Sequence, residues 1–498
     1  MKFSDLLVGA EVLAQSGDPQ ITGLEYDSRR IKPGNAFIAM RGETSDGNHY
    51  VDQAIKAGAV AVITDSDHTP ANLAWARVPH GRRALAVASA NFYAHPADEL
   101  AITGITGTNG KSTSAFLLES ILRAAGRNAA LIGTIEYHVA GKILPAPHTT
   151  PEALDLQNLF RKSVDSGATE AVMEVSSHAL AQERTFGLRF AVAIFTNLTR
   201  DHLDYHRTMD EYFSAKRSLF TGIGAPSPRV AVINVDDGYG VELAKFCKQR
   251  GITVVTYGVS KADFRAAKLD ITPKGTRFQM TGPDEIFSIN SPLIGRVNVY
   301  NTLAAGAAAY ARGCASAIEA GIAKLRRVPG RFERVDCGQP FTVVVDYAHT
   351  DDALRNLTLL AREFVRESRG RVITVFGCGG DRDRAKRPLM GEAAGNGSDF
   401  VVLTSDNPRN EEPLAIISDA LPGLKCTTAK YEVEPDRRAA IHLALSRAES
   451  GDIVLIAGKG HEKLQVLRSG PVPFDDTQVA ADALQALGYK RPTVGASA

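Results

Sequence analysis

Seven stretches of the chain share one pattern, a continuous apolar run that stops abruptly at a polar, glycine-rich motif. They are "LAITGITGTNGKST", "AVMEVSSHAL", "AVAIFTNLTRDHLD", "TVVVDYAHT", "RVITVFGCGGDRD", "DFVVLTSDNPR" and "DIVLIAGKGHE". Apolar runs without alternation suit strands buried on both faces, as in parallel sheets covered by helices. Between them lie helical periodicities. After "GKST", Leu118, Ile121, Leu122 and Ala125 recur at helical spacing on one face, and Gly126 is placed to cap the C-terminus. The order predicts a doubly wound α/β fold. In such folds ligands bind beyond the carboxyl ends of the strands, where all seven polar motifs fall.

The 498 residues suggest about three domains. "YAHPADEL" reads as a linker before Ala101, and "RRVPGRFERV" (326–335) as a second one. The expected units are 1–98, 99–330 and 331–498. The final "KRPTVGASA" reads as a solvated tail. A net charge of +1 gives no bulk case for binding nucleic acid or an anionic membrane. No apolar run approaches the ~18 residues of a membrane span. "MKFSDLLVGAEVLAQSGD" carries charges inside its apolar part and is a poor secretory signal. Cys247, Cys314, Cys337, Cys378 and Cys426 are scattered and odd in number, which disfavours a zinc site or a disulfide framework. A reducing, cytoplasmic, multidomain enzyme is the expectation.

"GITGTNGKST" (Gly104–Thr113) lies between a strand and a helix. Glycines let backbone N–H groups approach phosphate oxygens, and a helix N-terminus favours an anion. Gly107, Thr108, Asn109, Gly110 and Thr113 would form this cradle. Lys111 would reach the β/γ-phosphates and Ser112 would hold Mg²⁺. The first glycine spacing departs from the usual form, with Ile105 inside it. The physics nonetheless points to ATP or GTP.

"GTNGKST", "EVSSHAL", "TNLTRDHLDYH", "SAKRSLF", "PGRFERV" and "DYAHT" together resemble the Mur ligase family of ATP-dependent amide-forming enzymes. "DSRRIKPGNAFIAMRG", "GCGGDRDRAKRPLMG", "DNPRNEEP" and "GKGHE" narrow the resemblance to members that add meso-2,6-diaminopimelate to UDP-MurNAc-L-Ala-D-Glu in peptidoglycan precursor synthesis. The resemblance implies a monomer of three domains. These are a small N-terminal α/β domain for the uridine end, a central P-loop ATPase domain and a C-terminal Rossmann-like domain for the amino acid.

By the same resemblance, Glu174, His202 and a carbamylated Lys216 join Lys111 and Ser112 around ATP and Mg²⁺. Asn301, Arg331 and Asp346 contact the nucleotide. Ser28, Thr149, Thr150, Ser176, Gln182 and Arg184 line the path of the UDP-MurNAc-dipeptide. Without the resemblance, Lys216 reads as a helix-surface lysine, Asn301 as a helix N-cap, Arg331 as a linker residue and Asp346 as a strand-end turn residue. Thr149 and Thr150 precede what reads as a Pro-led helix, a setting suited to an anion. Asn48 stands where histidine is frequent in the family.

Arg382, Asp406, Asn407, Pro408, Arg409, Gly458 and Glu462 are expected to share one cleft at the carboxyl ends of three strands. Their mixed charges suit an amino acid: a guanidinium fork for the distal carboxylate of diaminopimelate, and carboxylates for its ammonium. "DNPR" is also compatible with a simple turn. Leu464 stands where tyrosine is frequent in the family. Rival expectations are other ligases of the superfamily, a P-loop ATPase or kinase without an amide product, and a non-catalytic nucleotide-binding regulator.

Overall fold

The computed structural model describes residues 1–42, 45–366 and 368–490. The expected tail lies almost wholly outside these. Three large sheets are built in turn along the chain, followed by a two-stranded hairpin, Leu464–Leu467 with Gly470–Pro473. The first has five strands in the spatial order Ala14–Ser16, Ala74–Arg77, Ala61–Thr64, Asn35–Ala39 and Gly23–Glu25. Helices Phe3–Leu6 and Gly81–Phe92 share its main core.

The second sheet has eleven strands. Its parallel centre holds three of the apolar runs as Phe190–Phe195, Ala101–Thr106 and Glu170–Glu174, side by side. Antiparallel pairing extends both edges, through Glu136–Val139 and Lys142–Pro145 on one side and, beyond the parallel strand Phe264–Thr272, through Gly275–Thr281 and Ile286–Ser291 on the other. The apolar-run pattern missed these extensions. Ile286–Ser291 alternates exposed and buried positions, as a sheet covered on one face requires.

Helix Lys111–Ala124 corrects the single-face expectation. Leu118, Ile121 and Leu122 are buried, but so are Ala115, Phe116 and Leu117, because helices Arg296–Ala311 and Ile318–Lys324 cover its outer side. Ala125 is the exposed C-cap residue. Gly126 follows it with a left-handed φ of +75°, and Arg127 N–H closes the cap onto the Leu122 carbonyl at 2.9 Å.

The third sheet sets Thr342–Asp346, Ile453–Ala457, Val372–Cys378, Phe400–Ser405 and Lys430–Val433 in parallel, in that order, with Glu333–Arg334 antiparallel at one edge. Val372–Cys378 and Ile453–Ala457 are buried throughout. Helices Asp351–Val365, Lys386–Gly397 and Pro413–Lys425 cover one face, and Arg437–Ser446 and Asp476–Ala486 the other. The chain therefore places "GCGGDRD", "TSDNPR" and "GKGHE" on three adjacent strand ends.

A fully buried ion pair ties those ends together. Arg437 meets Asp476 at 2.7 Å and also donates to the carbonyls of Ser405 and Ala457. Among the described residues no helix is long and apolar enough to cross a membrane. Arg437→Met should leave the Asp476 carboxylate buried and unpaired, at a cost of about 3–5 kcal/mol. A lower urea midpoint for the C-terminal transition is the expected reading, and an unshifted midpoint would contradict this role.

Candidate active site

The P-loop is held from outside itself. Gly110 is the N-cap of helix Lys111–Ala124 at φ +87°, and a Cβ there would lie 2.4 Å from Asn301 Oδ1. Glycine is needed on both counts. Thr108 N–H donates to the Asn197 carbonyl, Asn109 N–H to Asn197 Oδ1, and the Thr196 and Asn197 side chains donate to the Asn109 carbonyl. The "TNLT" that ends strand Phe190–Phe195 thus shapes the loop that ends its neighbour.

Two lysines converge on this loop. Lys111 Nζ donates to the Gly107 and Thr108 carbonyls at 2.9 and 2.8 Å, and Lys216 Nζ donates to the same Gly107 carbonyl at 2.9 Å. Lys216 is not on the helix surface. It is 1% exposed, on helix Met209–Thr221, with its ammonium 4.4 Å from the Tyr212 ring. Burial, then the neighbouring Lys111 charge, push its pKa well down. Burial also lowers Lys111, against the opposing field of Glu174.

A cavity of about 510 Å³ opens over the loop. Its walls carry Thr108, Asn109, Gly110, Lys111, Ser112, Thr113, Thr149, Glu174, Ser176, His202, Asn301, Arg331 and Asp346, so most of the expected nucleotide and metal residues meet there. Glu174 is held by Thr134, which donates its N–H and its hydroxyl to the two carboxylate oxygens at 2.8 and 3.0 Å. Asn301 lies inside helix Arg296–Ala311, capped by Gly295, and is not the N-cap. Arg331 stacks on Tyr347 and donates to Ser112 Oγ at 3.3 Å, which removes the plain linker reading. Asp346 accepts from Phe332 and Ala348 N–H groups, and burial raises its pKa.

Asp201, which sequence reasoning passed over within "TNLTRDHLDYH", sits where the second and third sheets face each other. It is 4% exposed. His202 lies 3.3 Å away, Lys386 3.4 Å and His349 3.8 Å. Burial opposes its charge, but these partners outweigh burial and hold the carboxyl well below its usual range. Burial drives His202 down to about 3, against the pull of Asp201, so its imidazole is neutral at pH 7. Asn109 reaches across the same gap to Asp352 at 2.9 Å, and Arg200 to Asp383 at 3.5 Å. Nothing in the local sequence pairs Asp201 with Lys386, 185 positions away.

Ser28, Thr150, Gln182 and Arg184 lie outside this cavity. Ser28 donates to Gln53 within the N-terminal domain, and Asn48 is fixed there by Asp46, Thr64 and Asp65. The helix after Thr149 and Thr150 is not Pro-led: it begins at Ala153, with Glu152 as N-cap. The Glu152 carboxylate at that end pairs with Arg82 and Arg184, so the setting is not a free anion site. Thr150 donates to the Glu174 carbonyl, Ser176 caps helix Ser177–Ala181, and Arg184 grips Gln182 Oε1 with two N–H groups.

The seven C-terminal residues gather on the third sheet. Asn407 Nδ2 donates to Glu462 Oε2 at 2.8 Å. Arg409 donates to the Gly380 carbonyl at 2.7 Å, from a backbone at φ +52°. Burial, then Arg382, lower its pKa, and Arg382 itself is exposed. Gly458, at φ +117°, lets Asp406 approach: a Cβ would lie 2.4 Å from Asp406 Oδ2, a buried oxygen with no hydrogen-bond partner. Leu464 is 48% exposed at the start of a short hairpin.

Three family models match along the chain: "Mur ligase family, catalytic domain" at residues 20–93, "Mur ligase middle domain" at 105–309 and "Mur ligase, glutamate ligase domain" at 330–460. This chain belongs to the Mur ligase family. The UDP-N-acetylmuramoyl-L-alanyl-D-glutamate--2,6-diaminopimelate ligase of Solibacter usitatus is 54% identical over 96% of both chains. That of Syntrophomonas wolfei is 44% identical over 97% of this chain and 99% of its own. A solved structure of a ligase with the same name superposes with a TM-score of 0.68 at 35% identity, covering 98% of this chain and all of the other.

For a Mur ligase built this way, Asp201 joins two domains. Asp201→Asn should strand the buried Lys386 charge and loosen the contact between them. Faster trypsin cleavage in the arginine-rich segment 326–334 is the expected result, and an unchanged digestion rate would contradict it.

Proposed function

We propose that this Mur ligase joins 2,6-diaminopimelate to UDP-N-acetylmuramoyl-L-alanyl-D-glutamate at the expense of ATP, in peptidoglycan precursor synthesis. One observation carries the reading. On a chain similar end to end to ligases of that name, Arg409 holds a guanidinium in the field of Asp406 and Glu462, at the ends of the two strands that flank Val372–Cys378. Diaminopimelate carries at its far end both a carboxylate for the guanidinium and an ammonium for the acids. Lysine lacks the distal carboxylate, and would leave the half-buried Arg409 guanidinium without that partner, at a cost on the order of 10- to 10²-fold in selectivity.

In this reading residues 1–98 hold the uridine end, 99–330 hold ATP and 331–498 hold the amino acid. The D-Glu γ-carboxylate attacks the γ-phosphorus, and the bond to ADP breaks. The amine then attacks the acyl carbon, phosphate leaves and the amine loses a proton. P-loop N–H groups, Lys111 and Arg331 neutralise charge on the phosphates, and the closed contact through Asp201 keeps the reactants together. Asn301 and Asp346 border the nucleoside. Ser28, Thr149, Thr150, Ser176, Gln182 and Arg184 follow the UDP-MurNAc-dipeptide.

Among the described residues no three His, Cys, Asp or Glu side chains are gathered as a metal cluster. Mg²⁺ is commonly held by one or two carboxylates with phosphate oxygens and water, and Ser112 with Glu174 suits that requirement. Neutral His202 and Lys216 would complete the set. Bound there, Mg²⁺ supplies charge neutralisation at the phosphates. The depressed pKa of Lys216 favours the free amine. That amine can attack CO₂, lose a proton and become an anionic carbamate, which exchanges a repelling cation beside Lys111 for an attracting anion.

Incubation with ATP, Mg²⁺, the UDP-MurNAc-dipeptide and either diaminopimelate or L-lysine should yield tripeptide with diaminopimelate only. No product with either amine would refute the function, and product with lysine alone would refute the specificity. Arg409→Lys should raise KM for diaminopimelate on the order of 10²-fold and leave KM for ATP near its original value; equal effects on both would argue against direct recognition. Lys216→Ala should lose most turnover, unrestored by excess bicarbonate, and near-normal turnover would exclude the carbamate.

A further inference from the structure

Lys459, in the middle of "GKGHE", is fully buried, yet it lies beside the amino-acid subsite. Its three N–H donors are all engaged. They go to Asn407 Oδ1 at 3.0 Å, Glu462 Oε2 at 2.9 Å and the Leu464 carbonyl at 2.7 Å. An ammonium has three donors and no acceptor, so this one has nothing left for a ligand.

Its effect falls on its neighbours. Asn407 Oδ1 accepts both from Lys459 and from Val466 N–H at 2.9 Å. Two donors on one atom settle which end of the amide is oxygen. The NH₂ end must then face Glu462, and it does, at 2.8 Å. Glu462 Oε2 is thereby held by two donors. Glu462 Oε1 is left without a hydrogen-bond partner among the described residues, on a side chain that is 31% exposed.

The charges follow from the same contacts. Lys459 balances Glu462 at 2.9 Å, so the pair contributes little net field. Asp406 Oδ2 is buried with no donor of its own. Its charged neighbours are Arg437 and Arg409, so Glu462 Oε1 is the open acceptor for an amino acid's ammonium.

We propose that Lys459 is the positioning residue of the amino-acid subsite. It orients Asn407 and Glu462 so that one glutamate oxygen faces the substrate. The inference rests on the ligase reading given above and specifies how its amino-acid site is set.

Lys459→Met keeps the length of the side chain and removes the three donors. With wild-type enzyme forming product from diaminopimelate, Lys459→Met should raise KM for diaminopimelate about 10- to 100-fold. KM for ATP and for the UDP-MurNAc-dipeptide should stay within about threefold, where a general structural defect would move all three. Glu462→Gln and the double variant Lys459→Met/Glu462→Gln complete a cycle. The double variant should match Glu462→Gln in KM for diaminopimelate, because the lysine acts through the glutamate. Should Lys459→Met alone fail to fold, the charge-balanced double variant carries the same test against Glu462→Gln. An unchanged KM for diaminopimelate in Lys459→Met, an equal rise for all three substrates, or a further multiplicative rise in the double variant would overturn the inference. Absence of product from the wild type with any amine would overturn the ligase reading instead.

Discussion

Two sheets point the carboxyl ends of their parallel strands at each other, and the chemistry of this protein depends on that confrontation. A parallel strand must end in a loop that crosses to a helix, so its polar residues collect at one edge of the sheet. Ala101–Thr106 ends in the P-loop, Glu170–Glu174 in Glu174, and Phe190–Phe195 in the segment that leads to Asp201 and His202. From the other domain, Thr342–Asp346 and Val372–Cys378 end in the loops that bring His349, Asp352 and Lys386. Asp201 is the meeting point, a buried carboxylate paired across the domains with Lys386 and flanked by His202 and His349.

The same edges explain why the lysines are unequal. Lys216, Lys386 and Lys459 are buried and Lys111 is half-buried on the cavity wall, and their partners differ. Lys111 and Lys216 share one carbonyl and repel each other, which leaves Lys216 as the ammonium most readily discharged. Lys386 is paired across domains with Asp201, and Lys459 is paired within a turn with Glu462. A buried ammonium is retained only where acceptors are arranged around it, so each of these sites is a fixed geometry with no solvated alternative.

The third sheet gathers side chains of both charges at its polar strand ends. The Arg437–Asp476 pair locks two strand ends beneath the site, and the "DNPR" turn is clamped above them by the bonds of Asn407 and Arg409. In the proposed function the turn is also the recognition element, and its rigidity would let a guanidinium and two carboxylates tell apart amino acids that differ by one carboxylate.

The one-dimensional pattern determined the strands, their parallel character and the edge on which the motifs fall, because continuous burial and loop chemistry are local properties of the chain. It located the P-loop and, with the family resemblance, the groups that converge on the cavity. It could not place Lys216 in the interior, since helical periodicity left it reading as a surface residue and only packing against Tyr212 and the P-loop decided otherwise. It put Asn301 at a helix cap and a helix start at Pro151, because cap residues are ambiguous until tertiary contacts choose. The pairing of Asp201 with Lys386, and the bond from Lys459 to Asn407, belong to tertiary structure alone. Each joins groups from different strand ends or turns, and no local periodicity encodes a contact that only the closing of sheet on sheet, or hairpin on turn, brings into existence.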